Sequence, residues 1–95
     1  MFEKYLVELF GTFVFLSSIL FLVKNNISLA PYLIGLTLTL VILAGGSISG
    51  GHFNPAVSFM FFLNNKLSST DLIGYCISQL LGGLLAHLVI IKLLN

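Results

Sequence analysis

The chain has 95 residues, of which 58% are hydrophobic and only 7% are charged, and its mean hydropathy is +1.12. Soluble proteins are about half apolar and a quarter charged, so this composition indicates an integral membrane protein. The formal net charge is +1 without any basic cluster, which gives no basis for nucleic-acid binding. The single cysteine, Cys76, gives neither a disulfide framework nor a cysteine-based metal site. We expect no cofactor and no metal.

Three apolar stretches are long enough to cross a bilayer as helices, which takes roughly 20 residues. They are residues 5–23, 32–48 and 71–91. The first follows Lys4 but lacks a small-x-small cleavage site, so we interpret it as a retained span rather than a signal peptide. Pro31 is well suited to opening the second helix. The tyrosines near the starts of the spans are expected at the membrane surface, where amphipathic rings are favoured: Tyr5, Tyr32 and Tyr75.

The stretch SGGHFNPAVSF, residues 49–59, is the polar interruption in this apolar chain. It follows the second span directly, and no charged residue occurs before Lys66, so residues 49–63 are expected at membrane depth. Irregular backbone survives there only where protein buries it or where it lines a water-filled cavity.

The segment NPAVSFMFFL predicts a short helix that begins inside the membrane. Gly50 and Gly51 permit a tight turn, Asn54 suits the N-cap, and Pro55 suits the first helical position. Ten residues rise about 15 Å, half a bilayer. The sequence therefore predicts an all-α membrane protein with three transmembrane helices and one re-entrant half-helix, in a single domain over residues 1–95.

A half-helix that starts near the midplane has electrostatic consequences. Its N-terminus carries roughly half a positive charge, which repels cations and protons. Asn54 can offer its side-chain amide to a passing oxygen, and the backbone carbonyls before it form a ladder of acceptors. The predicted pore-lining loop consists of Ser49, Gly50, Gly51, His52 and Phe53. Such a lining suits uncharged, hydrogen-bonding solutes.

Three segments carry a family resemblance: SGGHFNPAVS, VELFGTFVF in the first span and GYCISQLLGG in the third. They resemble the first half of the aquaporins and aquaglyceroporins, the major intrinsic protein family, and especially bacterial water channels of the aquaporin Z type. The resemblance implies that Glu8 and Gln79 support the re-entrant loop by hydrogen bonds and that His52 braces it. It also implies a pore centre formed by Asn54, Pro55 and Ala56.

The chain departs from the family in holding one such half where members hold two, related by an inverted repeat. We expect the second half to come from a second copy in inverted topology. Lys4 and Lys66 fall on one side of the membrane and Lys24 and Lys92 on the other, so no excess of positive charge fixes one orientation. By resemblance to the four-pore family assemblies, we expect eight chains.

A second departure concerns the selectivity filter. The chain has no arginine, because its four Lys+Arg residues are all lysines. Family members carry two Asn-Pro-Ala signatures, of which this chain has one at residues 54–56. An arginine follows their second signature, where this chain has Val57, and Ile34 occupies the second-helix filter position. The resemblance therefore implies an apolar filter that is wider than that of strict water channels.

The third span carries small residues at a spacing of four, a pattern that lets helix backbones approach closely. They are Gly74, Ser78, Gly82 and Ala86. This stripe indicates either a seam within the assembled pore or packing within one chain.

The sequence favours a passive channel for water or small neutral solutes, with a pore formed by two chains in inverted orientation. One alternative is a small dual-topology proton-coupled transporter, which needs a titratable carboxylate in mid-span, whereas Glu8 lies only a few residues into its helix. The other is a non-conducting half subunit that needs a different partner. No catalytic triad, metal cluster or phosphate loop can be assembled, so we expect no enzyme.

Overall fold

The computed structural model describes residues 1–94, which fold into helices joined by short loops, without any strand. The helices are α1 (Glu3–Lys24), α2 (Ala30–Ser49), α3 (Pro55–Leu63) and α4 (Ser69–His87), and α4 continues as a π-helix over Leu88–Leu93. Three of these elements are long and apolar enough to cross a membrane: α1, α2 and the segment Ser69–Leu93. The predicted fold class, three spans and one short helix, is confirmed.

The helix ends follow from local sequence signals, with one difference from expectation. Helix α2 begins at Ala30, so Pro31 occupies its second position rather than its first. Proline at the second position costs no hydrogen bond, just as at the first, because none of the first four amides of a helix has a partner within the helix. The first two predicted spans lie inside α1 and α2, and the third lies inside the segment Ser69–Leu93 that α4 and its π-helical continuation form.

The asparagine pairs in the KNN and NNK segments end α1 and α3 in the same way. Asn26 and Asn65 adopt the left-handed conformation, with φ of 54° and 59°, which asparagine tolerates better than most residues. The next amide, of Ile27 or Lys66, then donates to the carbonyl five residues earlier, at 3.1 and 2.9 Å. This is the Schellman arrangement, which satisfies carbonyls at a helix end.

Helix α1 lies between α2 and α4 and packs against both, while α3 packs against α4. Close approach of α1 and α4 depends on Gly82. A Cβ atom there would lie 2.5 Å from the carbonyl oxygen of Leu9 and 3.0 Å from the amide nitrogen of Phe13. The two backbones are therefore in contact, which only a residue without a side chain allows.

The small-residue stripe of α4 faces α1 along its length. Ser78, Gly82 and Ala86 are buried, and a Cβ atom at Gly74 would lie 2.4 Å from the ring of Tyr5. These residues therefore pack within one chain, and a seam within the assembled pore stays a prediction.

The charged ends of the helices define two surfaces. Lys4 and Asp71 form an ion pair of 2.8 Å that ties the start of α1 to the start of α4, and Lys66 lies in the loop just before α4. Because α1 and α4 run in the same direction, Lys24 and Lys92 lie at their opposite ends. The longest dimension of the chain is 40 Å, close to the thickness of a bilayer with its headgroups.

Candidate functional site

The loop between α2 and α3 turns sharply through left-handed backbone. Gly50 ends α2 with φ of 92°, and Gly51 follows with φ of 66°, values that glycine adopts without steric cost. Phe53 is also left-handed, with φ of 52°. Asn54 then returns to extended backbone and begins α3.

A single buried carboxylate holds this loop. Glu8 is 0% exposed, and its Oε2 accepts hydrogen bonds from Ser49 Oγ at 2.7 Å and the His52 amide at 3.0 Å. Its Oε1 accepts from the Phe53 amide at 2.8 Å and from Gln79 Nε2 at 2.9 Å. Buried charges are tolerated when hydrogen-bonded in this way. Glu8 on α1 thus bonds the loop directly, and Gln79 on α4 bonds Glu8.

Ser58 joins the loop to α3 and α4. Its hydroxyl accepts from Gln79 Nε2 at 3.0 Å and lies 2.8 Å from His52 Nδ1. The His52 ring also stacks on Phe61, with centroids 4.7 Å apart and planes within 11°. His52 is buried, so its contacts brace the loop. The sequence offered one signal for Ser58 that went unused: it is the only polar side chain in the helix PAVSFMFFL.

Tyr75 corrects one expectation from the sequence. It is 3% exposed rather than at the membrane surface, and its hydroxyl donates to the Ser49 carbonyl at 2.6 Å. One of the two lone pairs of that carbonyl is therefore used within the chain, and its place in the acceptor ladder stays a prediction. The side chain of Ser49 is occupied as well, since it bonds Glu8 and accepts from the Gly51 amide at 3.1 Å. A useful signal was that Tyr75 lies one helical turn before Gln79, on the same face.

The other residues of the predicted lining differ in burial. Gly51, His52 and Phe53 are buried within the chain, whereas Gly50 is exposed. Backbone atoms at these positions can face a pore, but the side chains of His52 and Phe53 pack inward.

The signature residues lie at the exposed start of α3. Asn54 Oδ1 accepts from the Ala56 amide at 2.8 Å and caps the helix. The other end of the side chain, Nδ2, has no partner among the described residues. Asn54, Pro55 and Ala56 are all exposed in the single chain. Asn54 therefore combines an occupied capping oxygen with a free amide donor.

The two predicted filter residues lie on separate elements. Ile34 is near the start of α2 and Val57 is the third residue of α3, and both are partly buried. Since α2 and α3 do not pack on one another, one chain does not bring Ile34 and Val57 into a common constriction.

A groove of about 510 Å³ lies between α1 and α4, beyond the N-terminal end of α3. Asn54 and Pro55 stand at its end, and its walls hold two buried oxygens without a hydrogen-bond partner, Thr12 Oγ1 and Gln79 Oε1. The rest of its lining is mostly apolar: Phe15, Leu16, Phe53, Leu80, Gly83 and Leu84. Sequence reasoning missed Thr12. Within residues 1–94, no three His, Cys, Asp or Glu residues lie close enough to hold a metal ion.

Known proteins with similar sequences are membrane channels by name. The chain is 40% identical over 87 residues to the glycerol uptake facilitator protein-like 6 of Lactiplantibacillus plantarum, covering 88% of this chain and 40% of that protein. It is 38% identical over 102 residues to the aquaporin Z of Photorhabdus laumondii, covering 95% and 43%. With the aquaporin-8 of Rattus norvegicus it shares 43% identity over 93 residues, covering 88% and 35%. The chain thus spans less than half the length of these relatives.

The family comparison covers the whole chain. The model of the family described as major intrinsic protein matches residues 1–95, and no solved structure gives a significant match. Members of this family are channels rather than enzymes. The match and the three apolar helices together make this an integral, multi-pass membrane protein. The chain belongs to the major intrinsic protein family.

Proposed function

We propose that the chain forms a channel for passive flow of water and small neutral solutes, whose pore is built by two copies in inverted orientation. The observation that supports this proposal is that α3 covers only part of the length of α4 and leaves the groove between α1 and α4 open. Helix α3 has nine residues and rises about 14 Å, whereas the 25-residue span that includes α4 rises about 37 Å. The groove continues beyond Asn54 toward the opposite surface, and α3 leaves it open.

A second, inverted copy of α3 fits this open half. A two-fold axis in the membrane plane near Pro55 brings the two half-helices end to end, and a two-fold interface is self-complementary. The incoming helix is apolar apart from Ser58, like most of the lining of the groove. It also brings Asn54 Nδ2, which has no partner among the described residues of its own chain.

The same arrangement accounts for selectivity against ions. Two helix N-termini then face each other at the midplane, and their partial positive charges repel cations and protons. The free Nδ2 of each Asn54 donates to the oxygen of a neutral solute. Relatives named as a glycerol uptake facilitator-like protein and as aquaporins agree with a solute of this class. By analogy with the four-pore assemblies of the family, the proposed complete assembly holds eight chains.

The transporter alternative requires a carboxylate that exchanges protons during transport. Glu8 is the buried carboxylate of the described chain, and four donors already occupy it. Its hydrogen bonds favour a role in holding the loop. The remaining alternative, a half subunit that needs a different partner, is an outcome of the first experiment below.

The first test concerns orientation in the membrane. Because the lysines divide two and two between the surfaces, a tag at the C-terminus is expected to be accessible from both sides in comparable amounts. Two lysines added at the C-terminus should fix one orientation and abolish water flux, while two added glutamines should not. Co-expression with a copy that carries two extra lysines at its N-terminus should restore flux. If the parent protein has one orientation and still conducts, the pore is not an inverted pair. If the purified chain neither self-associates nor conducts, the result supports a half subunit that needs a different partner.

The second test concerns the filter. With Val57 in place of an arginine and with the apolar Ile34, vesicles that contain the protein are expected to pass glycerol as well as water. Val57→Arg should narrow the pore and reduce glycerol flux more than water flux, whereas Val57→Leu should preserve the ratio of the two. Stopped-flow light scattering of the same vesicles under water and glycerol gradients measures both. Strict water selectivity of the parent contradicts this account of the filter.

A further inference from the structure

Phe53 has a backbone conformation that a bulky residue seldom adopts. Its φ is 52° and its side chain is 2% exposed. Left-handed backbone is uncommon outside glycine, asparagine and aspartate, and it persists only where the surroundings determine it. Something must therefore hold this residue from more than one direction.

Two contacts on α1, one helical turn apart, hold it. The Glu8 carboxylate accepts from the Phe53 amide at 2.8 Å. Three residues later, Gly11 lies directly against the aromatic ring: a Cβ atom there would be 2.0, 2.5 and 2.6 Å from three ring carbons. Real Cβ atoms do not approach so closely, so the ring occupies space that only glycine leaves open.

Helix α2 closes the other side of the ring. A Cβ atom at Gly45 would lie 3.5 Å from Phe53 Cζ, at ordinary contact distance. The ring is thus seated between two helices in a glycine socket, formed by Gly11 and Gly45. The socket is deepest at Gly11, where any side chain displaces the ring.

The position of Phe53 in the glycine socket determines where the next residue, Asn54, lies. Asn54 is exposed, and its side chain bonds only the Ala56 amide of its own helix, so no side-chain hydrogen bond to the described residues of α1 or α2 holds it. We propose that Gly11 is a positioning residue: by leaving room for the Phe53 ring, it sets the depth and direction of the Asn54 amide. The consequence for conduction rests on the proposed channel function, while the seating itself does not.

Four proteins test this proposal: the parent, Gly11→Ala, Phe53→Leu and the double variant. Leucine lacks Cε1 and Cζ, the two ring carbons nearest to the new methyl group, and its Cδ atoms can rotate away from that group. Gly35→Ala is the matched control, since no atom lies within 4 Å of a Cβ at that position. The readout is proton leak divided by water flux in the same vesicles, after the flux through protein-free vesicles is subtracted from each. A mere loss of folded protein lowers both protein-mediated fluxes and leaves their ratio unchanged.

A methyl group at position 11 overpacks the glycine socket, which disfavours the native position of the Phe53 ring. We expect the ratio of displaced to native positions to rise about tenfold. We therefore expect Gly11→Ala to raise the leak-to-water ratio about tenfold and the double variant to return it to within about threefold of the parent. The proposal is overturned if Gly11→Ala matches Gly35→Ala in this ratio, or if the double variant remains as leaky as Gly11→Ala.

A parent that passes no water at all rejects the channel rather than the socket. Thermal unfolding of the same proteins in detergent then decides the seating, because residues in contact have non-additive effects on stability. A double variant more stable than Gly11→Ala alone supports the socket. If the losses of thermal stability from Gly11→Ala and Phe53→Leu are strictly additive in the double variant, the socket is overturned.

Discussion

Replacing Glu8 with glutamine is expected to abolish assembly and water flux together. The carboxylate accepts four hydrogen bonds through its two oxygens, whereas a glutamine amide has one oxygen and one NH₂ group. The NH₂ group would face two donors, which would be left without a partner. Each buried donor without a partner costs about 1–3 kcal/mol, a large part of the 5–15 kcal/mol by which proteins are typically stable. Size-exclusion chromatography in detergent and osmotic shrinkage of vesicles measure the two losses.

Glu3→Gln is the matched control for this change. Glu3 lies five residues earlier on the same helix, its side chain is 70% exposed, and it contacts only the N-terminal amine. The same loss of charge there should leave assembly and flux unchanged. If Glu8→Gln also assembles and conducts like the parent, then the hydrogen bonds of this carboxylate do not support the loop.

The features that sequence predicted correctly are those encoded locally. A run of apolar residues determines its own helix, and the start of the half-helix has its signals within a few residues: a capping asparagine and an early proline. The cap at Asn54 is present, with its side chain bonded to the Ala56 amide. Segment 55–63 is helical and short for the same reason, since Asn65 adopts the left-handed conformation that ends it.

Spacing can show that two residues share a helix face, but it does not identify the atom that each contacts on another segment. Tyr75 near the start of a span suggested a surface ring, yet it reaches across to the Ser49 carbonyl on α2. Nothing within the third span indicates that carbonyl, which is 26 residues earlier in the chain. Thr12 was missed for a similar reason: a threonine in an apolar helix has no local signal for which face opens into a groove.

Phe53 shows that the place of a side chain depends on a neighbouring helix. Its position just before Asn54 suggested that its backbone lines the pore, which stays a prediction. Its ring lies in the glycine socket, because Gly11 of α1 leaves space at that depth. Gly11 belongs to the GTF segment that carried the family resemblance, but the sequence does not say which side chain fills the space it leaves.

Replacing Asn54 should separate the two roles of its side chain. Its oxygen caps α3 by accepting from the Ala56 amide at 2.8 Å, and its Nδ2 has no partner in the described chain. Asn54→Asp retains a capping oxygen, so the variant is expected to assemble. It loses the donor, however, and places up to two carboxylates per pair of chains at the midplane, where they offset the positive helix ends and attract cations. We therefore expect reduced water flux with a new cation or proton leak.

Asn54→Ala removes the cap as well as the donor, and loss of a cap costs about 0.5–2 kcal/mol per chain. Because a two-fold pair loses two caps at its shared midplane, this variant is expected to lose assembly and water flux together. Asn65→Asp is the matched control for charge: it adds the same carboxylate at the exposed end of α3, away from the midplane, and should conduct like the parent. Osmotic shrinkage and a proton-flux dye, read from the same vesicles, compare all four proteins. Should Asn54→Asp match the parent in both measurements, the Asn54 amide does not face the pore, and the mechanism that places two half-helix N-termini around the solute is wrong.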